Sequence, residues 1–339
     1  MKKLYSYLSV LTVSVSLIAC FPEIDKVPME KPSETIITAQ SSIYNTITFF
    51  KIYENITAEV VSHELGTWDM AFQSAMPGDI VLLNYTVSAR AIRTGTSDFS
   101  AVDKNTVNEL FNADGWMFND PAYSNNGDST ALKDWEDEEV YLVYRGSASL
   151  PDEAYYKVQF ISKTQEAYTF KYAHVEDTQE YEMTINRTFG LANVYFSFED
   201  HKVVDYEPNI NDWEFYFTPY FGWYETLDPG IYSPYNVKGV MINNEGGVMV
   251  SQVFDEAIAY EDIDLAMAME LEYTDWKGAI GSTWKNLPPS DGSGGYTMDT
   301  KKKYVIKLSD GNIYKLRFLD YYNNEGEKGY TSFEMILLE

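Results

Sequence analysis

The order of strand-like and tryptophan-bearing segments repeats itself within this chain, and that recurrence limits its fold more than any other feature. Phe49-Phe50-Lys51-Ile52 leads to Thr67-Trp68-Asp69-Met70-Ala71-Phe72. Roughly 145 positions later, Tyr195-Phe196-Ser197-Phe198 leads to Asp212-Trp213-Glu214-Phe215-Tyr216-Phe217. Near the end of each half Tyr156-Lys157-Val158-Gln159-Phe160 matches Tyr314-Lys315-Leu316-Arg317-Phe318, and Tyr168-Thr169-Phe170 is echoed by Tyr330-Thr331-Ser332-Phe333. The offset grows along the chain, so the second half carries extra loop residues in its middle. Matches kept in order favour a tandem duplication, although shared strand composition imitates part of such a pattern. The expected modules are residues 43–186 and 193–339.

Within both halves the local signal is β. Alternating or β-branched runs occur at 46–52, 141–144, 156–160, 168–172, 194–198, 248–250, 304–308 and 314–318. They are separated by turn residues such as Asp310-Gly311-Asn312 and Asn323-Asn324-Glu325-Gly326. Asp310-Gly311 between two strand patterns predicts a hairpin. Helix is scarce; Glu256 to Leu271 has helix-forming composition, but Ala266-Met267-Ala268-Met269 fits strand alternation equally well. The expected class is all-β, mainly antiparallel, with little helix.

Residues 1–19 read as a signal peptide: Met1-Lys2-Lys3, a short apolar run, then Leu17-Ile18-Ala19 before the only cysteine, Cys20. The apolar run is too short to span a bilayer, which takes about 20 residues. The pattern predicts cleavage and lipidation at Cys20; an ordinary signal peptide containing a cysteine is the alternative. Residues 20–42, with Pro22, Pro28 and Pro32 among polar residues, read as a solvated tether. Glu23 and Asp25 resemble a surface-export signal, or are simple linker polarity. The expected location is the outer membrane, lipid-anchored and exposed at the cell surface. A net charge of −27 opposes nucleic acid and anionic membranes. The lone cysteine excludes an internal disulfide framework.

Trp68-Asp69-Met70-Ala71-Phe72 with the Asn84 strand, and Asp310-Gly311-Asn312-Ile313-Tyr314 through Leu319-Asp320-Tyr321-Tyr322 and on to Gly329-Tyr330-Thr331-Ser332-Phe333-Glu334, resemble the HmuY family of haem-binding lipoproteins. The resemblance covers most of 193–339 and more weakly 43–185. It implies an antiparallel β fold, capture of haem outside the cell, delivery to an outer-membrane receptor, and two axial ligands, a His pair or a Met pair, from loops of the second half.

His63, His174 and His201 all fall outside those loops, which argues for structural or solvated roles. Methionine remains, since a thioether can ligate haem iron axially. Under the resemblance, Met267 or Met269 lies near the first ligand loop and Met298 near the second, with Trp284 and Tyr296 as rings that could cover a porphyrin or another apolar ligand. Adaptable core filling is the competing use of methionine. No nucleophile–base pair, phosphate loop or EF-hand stands out, and Asp262/Asp264 and Glu136–Glu139 read as solvated charge. No enzyme is expected. Two functions remain open: haem capture, or a β-rich interaction or adhesion lipoprotein that binds a protein or glycan.

Overall fold

Strands whose buried faces alternate can stack in layers, and four sheets do so here. The computed structural model describes residues 35–53, 56–75, 78, 80–122, 130–132, 138–146, 154–225, 229–289 and 293–339. Residues 34–339 form one unit. The signal segment and Cys20 lie outside the described residues, as do Glu136 and Asp137.

Among the described residues a five-stranded sheet has the order Thr35–Thr38, Lys328–Leu337, Ile313–Tyr322, Lys303–Lys307, Met249–Val253. A six-stranded sheet has the order Tyr181–Asn186, Ala167–His174, Tyr155–Lys163, Tyr141–Tyr144, Arg90–Arg93, Met117–Phe118. Two four-stranded sheets mix the halves. One joins Tyr232–Ile242 and Phe215–Glu225 to Thr46–Tyr53 and Ile56–Glu64; the other joins Lys202–Val204 and Asn193–Ser197 to Met70–Gln73 and Val81–Leu83. All these pairings are antiparallel.

Side-chain alternation assigns the layers. Phe50, Phe215 and Phe217 join Tyr304, Leu316 and Phe333 in one core, between the five-stranded sheet and the first mixed sheet. Their neighbours Phe49 and Tyr216 point the other way, into a core with Trp68, Ala71 and Tyr195 between the two mixed sheets. Met70, Phe72 and Phe196 complete the third core, against Tyr141, Phe170 and Tyr172 of the six-stranded sheet. Each mixed sheet is thus buried on both faces, which explains the run of apolar residues at Tyr195-Phe196 and Phe215-Tyr216-Phe217 where a one-sided strand would alternate. Full burial of one such side chain contributes about 1.5–3 kcal/mol.

The expected strands are present, and Asp310-Gly311 closes a hairpin between Lys303–Lys307 and Ile313–Tyr322, with Gly311 at φ +93°. Two expectations change. The tether predicted to reach residue 42 ends sooner: Thr35–Thr38 pairs with Met335 to Ser332, and Ala39 and Ile43 are buried. The pairing supplies backbone bonds that the polar sequence does not advertise. The stretch 256–271 is helical only at Leu265–Met269, where Asp264 Oδ1 accepts the Met267 N–H.

The halves repeat local contacts. Asn84 Nδ2 donates to Trp68 O at 2.7 Å, and Asn243 Nδ2 to Trp213 O at 2.8 Å. Lys157 Nζ donates to Phe99 O and Val102 O ahead of the Lys104–Leu110 helix; Lys315 Nζ donates to Tyr260 O and Ile263 O ahead of the Leu265–Met269 helix. Trp68 and Trp213 are both buried.

Candidate ligand cleft

A strand edge left uncovered by regular pairing forms one concave surface among the described residues. The Met249–Val253 strand ends the five-stranded sheet, and Thr274 bridges to it through reciprocal 2.9 Å bonds between the Val250 and Thr274 backbones. Further on, Lys277 O accepts the Ile242 N–H and Gly281 bridges to Val240, so residues 274–281 connect the edges of two sheets. Between the edge strand and this crossing segment lies a cleft of about 520 Å³, lined by Val250, Ser251, Gln252 and by Leu271 to Thr274 with Trp276. Small-molecule sites run from about 300 to 1,000 Å³.

The walls mix apolar residues, Val250, Leu271, Tyr273 and Trp276, with polar ones, Ser251, Gln252, Glu272 and Thr274. Trp276 is 44 % exposed, although its Nε1 donates to Ala122 O at 2.8 Å, which fixes the ring. Tyr273 donates its hydroxyl to Ala268 O at 2.9 Å, and burial raises its pKa. Gln252 Nε2 donates to Ala279 O at 2.5 Å. The Lys307 ammonium stands 5.8 Å from the Tyr273 ring, a cation at the rim of a cleft in an acidic protein.

The expected ligand residues do not converge. Met267 packs on a cluster with Val253, Ile263, Val305 and Ile313. Met298 packs on the cluster holding Tyr304, Ile306, Tyr314 and Leu316. Tyr304 and Ile306 point to one side of their strand and Val305 to the other, so the five-stranded sheet stands between the two methionines. They cannot clamp one iron from opposite sides. Met269 shares the Met267 helix and is 68 % exposed, two residues before Leu271 of the cleft wall.

Trp284 is 1 % exposed; it stacks on Phe318 at 4.1 Å, carries the Lys285 ammonium against its ring at 4.1 Å, and presents no open face. Tyr296 is half-buried, edge-on to Tyr321 and bonded to Tyr44. Trp284 and Tyr296 belong to the inner side of the sheet, away from the cleft's Leu271 and Tyr273.

The histidines serve packing. His63 stacks on Tyr206 at 4.6 Å and burial lowers its pKa. His201 takes φ +52°, stacks on Tyr181 and meets the Tyr172 hydroxyl through Nδ1 at 2.8 Å. His174 Nδ1 accepts the Glu176 N–H. Asp264 is a helix cap, and Glu139 pairs with Arg93.

Sequence reasoning missed Gln252 and Leu271 as cleft residues. Their approach depends on the Val250–Thr274 bridge, and an isolated bridge has no periodic signal.

Among solved structures the chain is similar to an HmuY-like protein from Bacteroides vulgatus, with 16 % identity, 89 % of this chain and 91 % of that chain covered, and a TM-score of 0.21. The apo HmuY analog of Tannerella forsythia shows 11 % identity, coverage of 90 % and 96 %, and a TM-score of 0.23. Apo PinO from Porphyromonas gingivitis shows 15 % identity, coverage of 43 % and 90 %, and a TM-score of 0.22. Scores this low carry no residue across. No curated protein matches. The family model described as HmuY protein matches residues 43–335, and the chain belongs to that family.

Proposed function

We propose that this protein captures haem outside the cell, in the cleft between the Met249–Val253 strand and residues 271–276, and passes it to an outer-membrane receptor. The observation that carries the reading is the HmuY match across residues 43–335; the Bacteroides vulgatus structure is also described as HmuY-like and heme binding. Haem is the cargo here. Leu271, Tyr273 and Trp276 offer apolar surface for a flat macrocycle, and Lys307 offers a cation for a propionate. Met269 supplies an exposed thioether beside the cleft. A neutral soft sulfur stays unprotonated on acidification and favours ferrous iron, whereas an imidazole titrates near its usual pKa of about 6.5.

Haem titration followed by the Soret band, in ferric and ferrous states, tests this. A saturable shift is expected, weakened at least tenfold by Trp276→Ala and by Lys307→Glu and altered in the ferrous spectrum by Met269→Ala. Met298→Ala should leave it unchanged. Absence of any shift in the wild-type protein would favour the alternative, an interaction lipoprotein that uses the exposed Trp276 surface on a protein or glycan.

We also infer that Cys20 carries a lipid anchor after signal cleavage, and that 43–186 and 193–339 are copies of one unit. The recurrent Trp–Asn and Lys–carbonyl contacts support the second inference.

A further inference from the structure

On the inner side of the five-stranded sheet, three lysines approach one group of tyrosines. Lys238 and Lys328 place their ammonium groups 5.1 and 4.8 Å from the Tyr44 ring, and Lys285 lies 5.1 Å from that of Tyr321. Tyr44 donates its hydroxyl to Tyr296 at 3.3 Å, and Tyr322 Oη accepts the Tyr296 N–H at 2.7 Å. Tyr321 is fully buried; its hydroxyl lies beside that of Tyr44 and completes no hydrogen bond. Lys328 is exposed and Tyr44 and Tyr296 half-buried, so the group opens to solvent there.

None of the three lysines is ion-paired with a described carboxylate, in a chain with 52 acidic residues. Lys285 spends two donors on Lys238 O and Ser282 O, and Lys238 one on Asn236 Oδ1. Burial depresses the pKa of both Lys238 and Lys285, and the charges that add to it are other lysines, Lys328 beside the first and Lys238 beside the second. Lysine stems often cover aromatic surface and ring faces attract ammonium groups, which accounts for one such contact. It leaves uncompensated the mutual repulsion of like charges drawn around shared rings and partly withdrawn from water.

We propose that Lys238, Lys285 and Lys328 with Tyr44 and Tyr296 form a binding site for a small oxyanion, a carboxylate or phosphate group that supplies the missing counter-charge. Ammonium groups are point charges with freely rotating donors and accept either anion; phenol hydroxyls add directed donors. The site is independent of haem capture in the cleft.

Calorimetric titration of the mature protein at low ionic strength, with sodium acetate in one arm and inorganic phosphate in the other, tests the proposal. Saturable binding in at least one arm is expected, and the tighter arm identifies the carboxylate or phosphate source. Lys238→Gln with Lys285→Gln should weaken it at least tenfold, and Lys104→Gln, on a surface pair remote in sequence, should not change it. No saturable heat in either arm, or equal binding by the double variant, overturns the site. A second reading needs no variant: NMR titration of the lysine side chains should show the Lys285 pKa rising when the tighter anion saturates the wild-type protein, and an unmoved pKa likewise overturns it.

Discussion

Asp69 and Glu214 make the same bond in opposite directions across the molecule. Asp69 Oδ2 accepts the backbone N–H of Phe198, which follows the Asn193–Ser197 strand; Glu214 Oε2 accepts that of Ile52 in the Thr46–Tyr53 strand. Each carboxylate follows its half's tryptophan and fastens the first strand of the other half. The backbone does likewise, with Asp69 N–H donating to Phe196 O and Glu214 N–H to Phe50 O, both at 2.8 Å. Each acid also holds a cation, Arg145 Nε at 2.6 Å from Asp69 and Lys51 Nζ at 2.7 Å from Glu214.

Asp69→Ala should therefore cost about 3–5 kcal/mol, because it leaves a buried guanidinium with only the exposed Glu199 carboxylate at 3.7 Å and a buried N–H without its acceptor. Glu214→Ala should cost less, about 1–3 kcal/mol, since Lys51 keeps its bond to Asn211 O and some solvent. Urea unfolding measures both. Adding Arg145→Met to Asp69→Ala should recover part of the loss; a double variant no more stable than the single one would show that the ion pair is not what Asp69 supplies.

Glu207 is buried, and accepts from the Ala192 N–H, Asn193 Nδ2 and the Tyr195 hydroxyl. Desolvation raises its pKa despite Lys277 and these bonds. Between the unfolded value of about 4.3 and the raised native value, the native state binds more protons, so stability falls as pH climbs through that interval. Glu207→Gln should flatten this part of the stability–pH curve. An unchanged slope would mean that Glu207 titrates alike in both states.

Lys285 shifts the balance in the other direction at higher pH. Burial and the Lys238 charge push its pKa down to about 7, against about 10.4 in an unfolded chain. Over that interval the unfolded chain binds more protons, so stability rises with pH from about 7 to about 10.4, and the penalty is fully present below 7. Thermal melts of Lys285→Met should lose that rise, and a persisting rise would place its origin elsewhere.

Cys20→Ala should release the protein from the membrane fraction or leave the precursor uncut. Fractionation and mass measurement of the N-terminus decide it, and a processed variant that still sediments with membranes would remove the lipid anchor from the account.

The strand runs and the Asp310-Gly311 hairpin were legible because a strand's two-residue period and a turn's need for positive φ are local properties. The recurrence of Trp68 and Trp213 was legible too, and both side chains are buried. Family membership followed from those same segments. What local order could not convey was that each half lends strands to the other: the Thr46–Tyr53 strand pairs with Phe215–Phe217, and the Asn193–Ser197 strand with Met70–Gln73. Residue types in a strand buried on both faces say that it has neighbours without saying which. The same gap governed the candidate site. Met267, in the Leu265–Met269 helix, and Met298, in a two-residue strand, lie close in sequence, yet the five-stranded sheet divides them, because successive residues such as Tyr304 and Val305 face opposite ways. Side-chain parity along each strand was written in the chain; the side of the sheet that each loop covers was decided only when the strands were laid together.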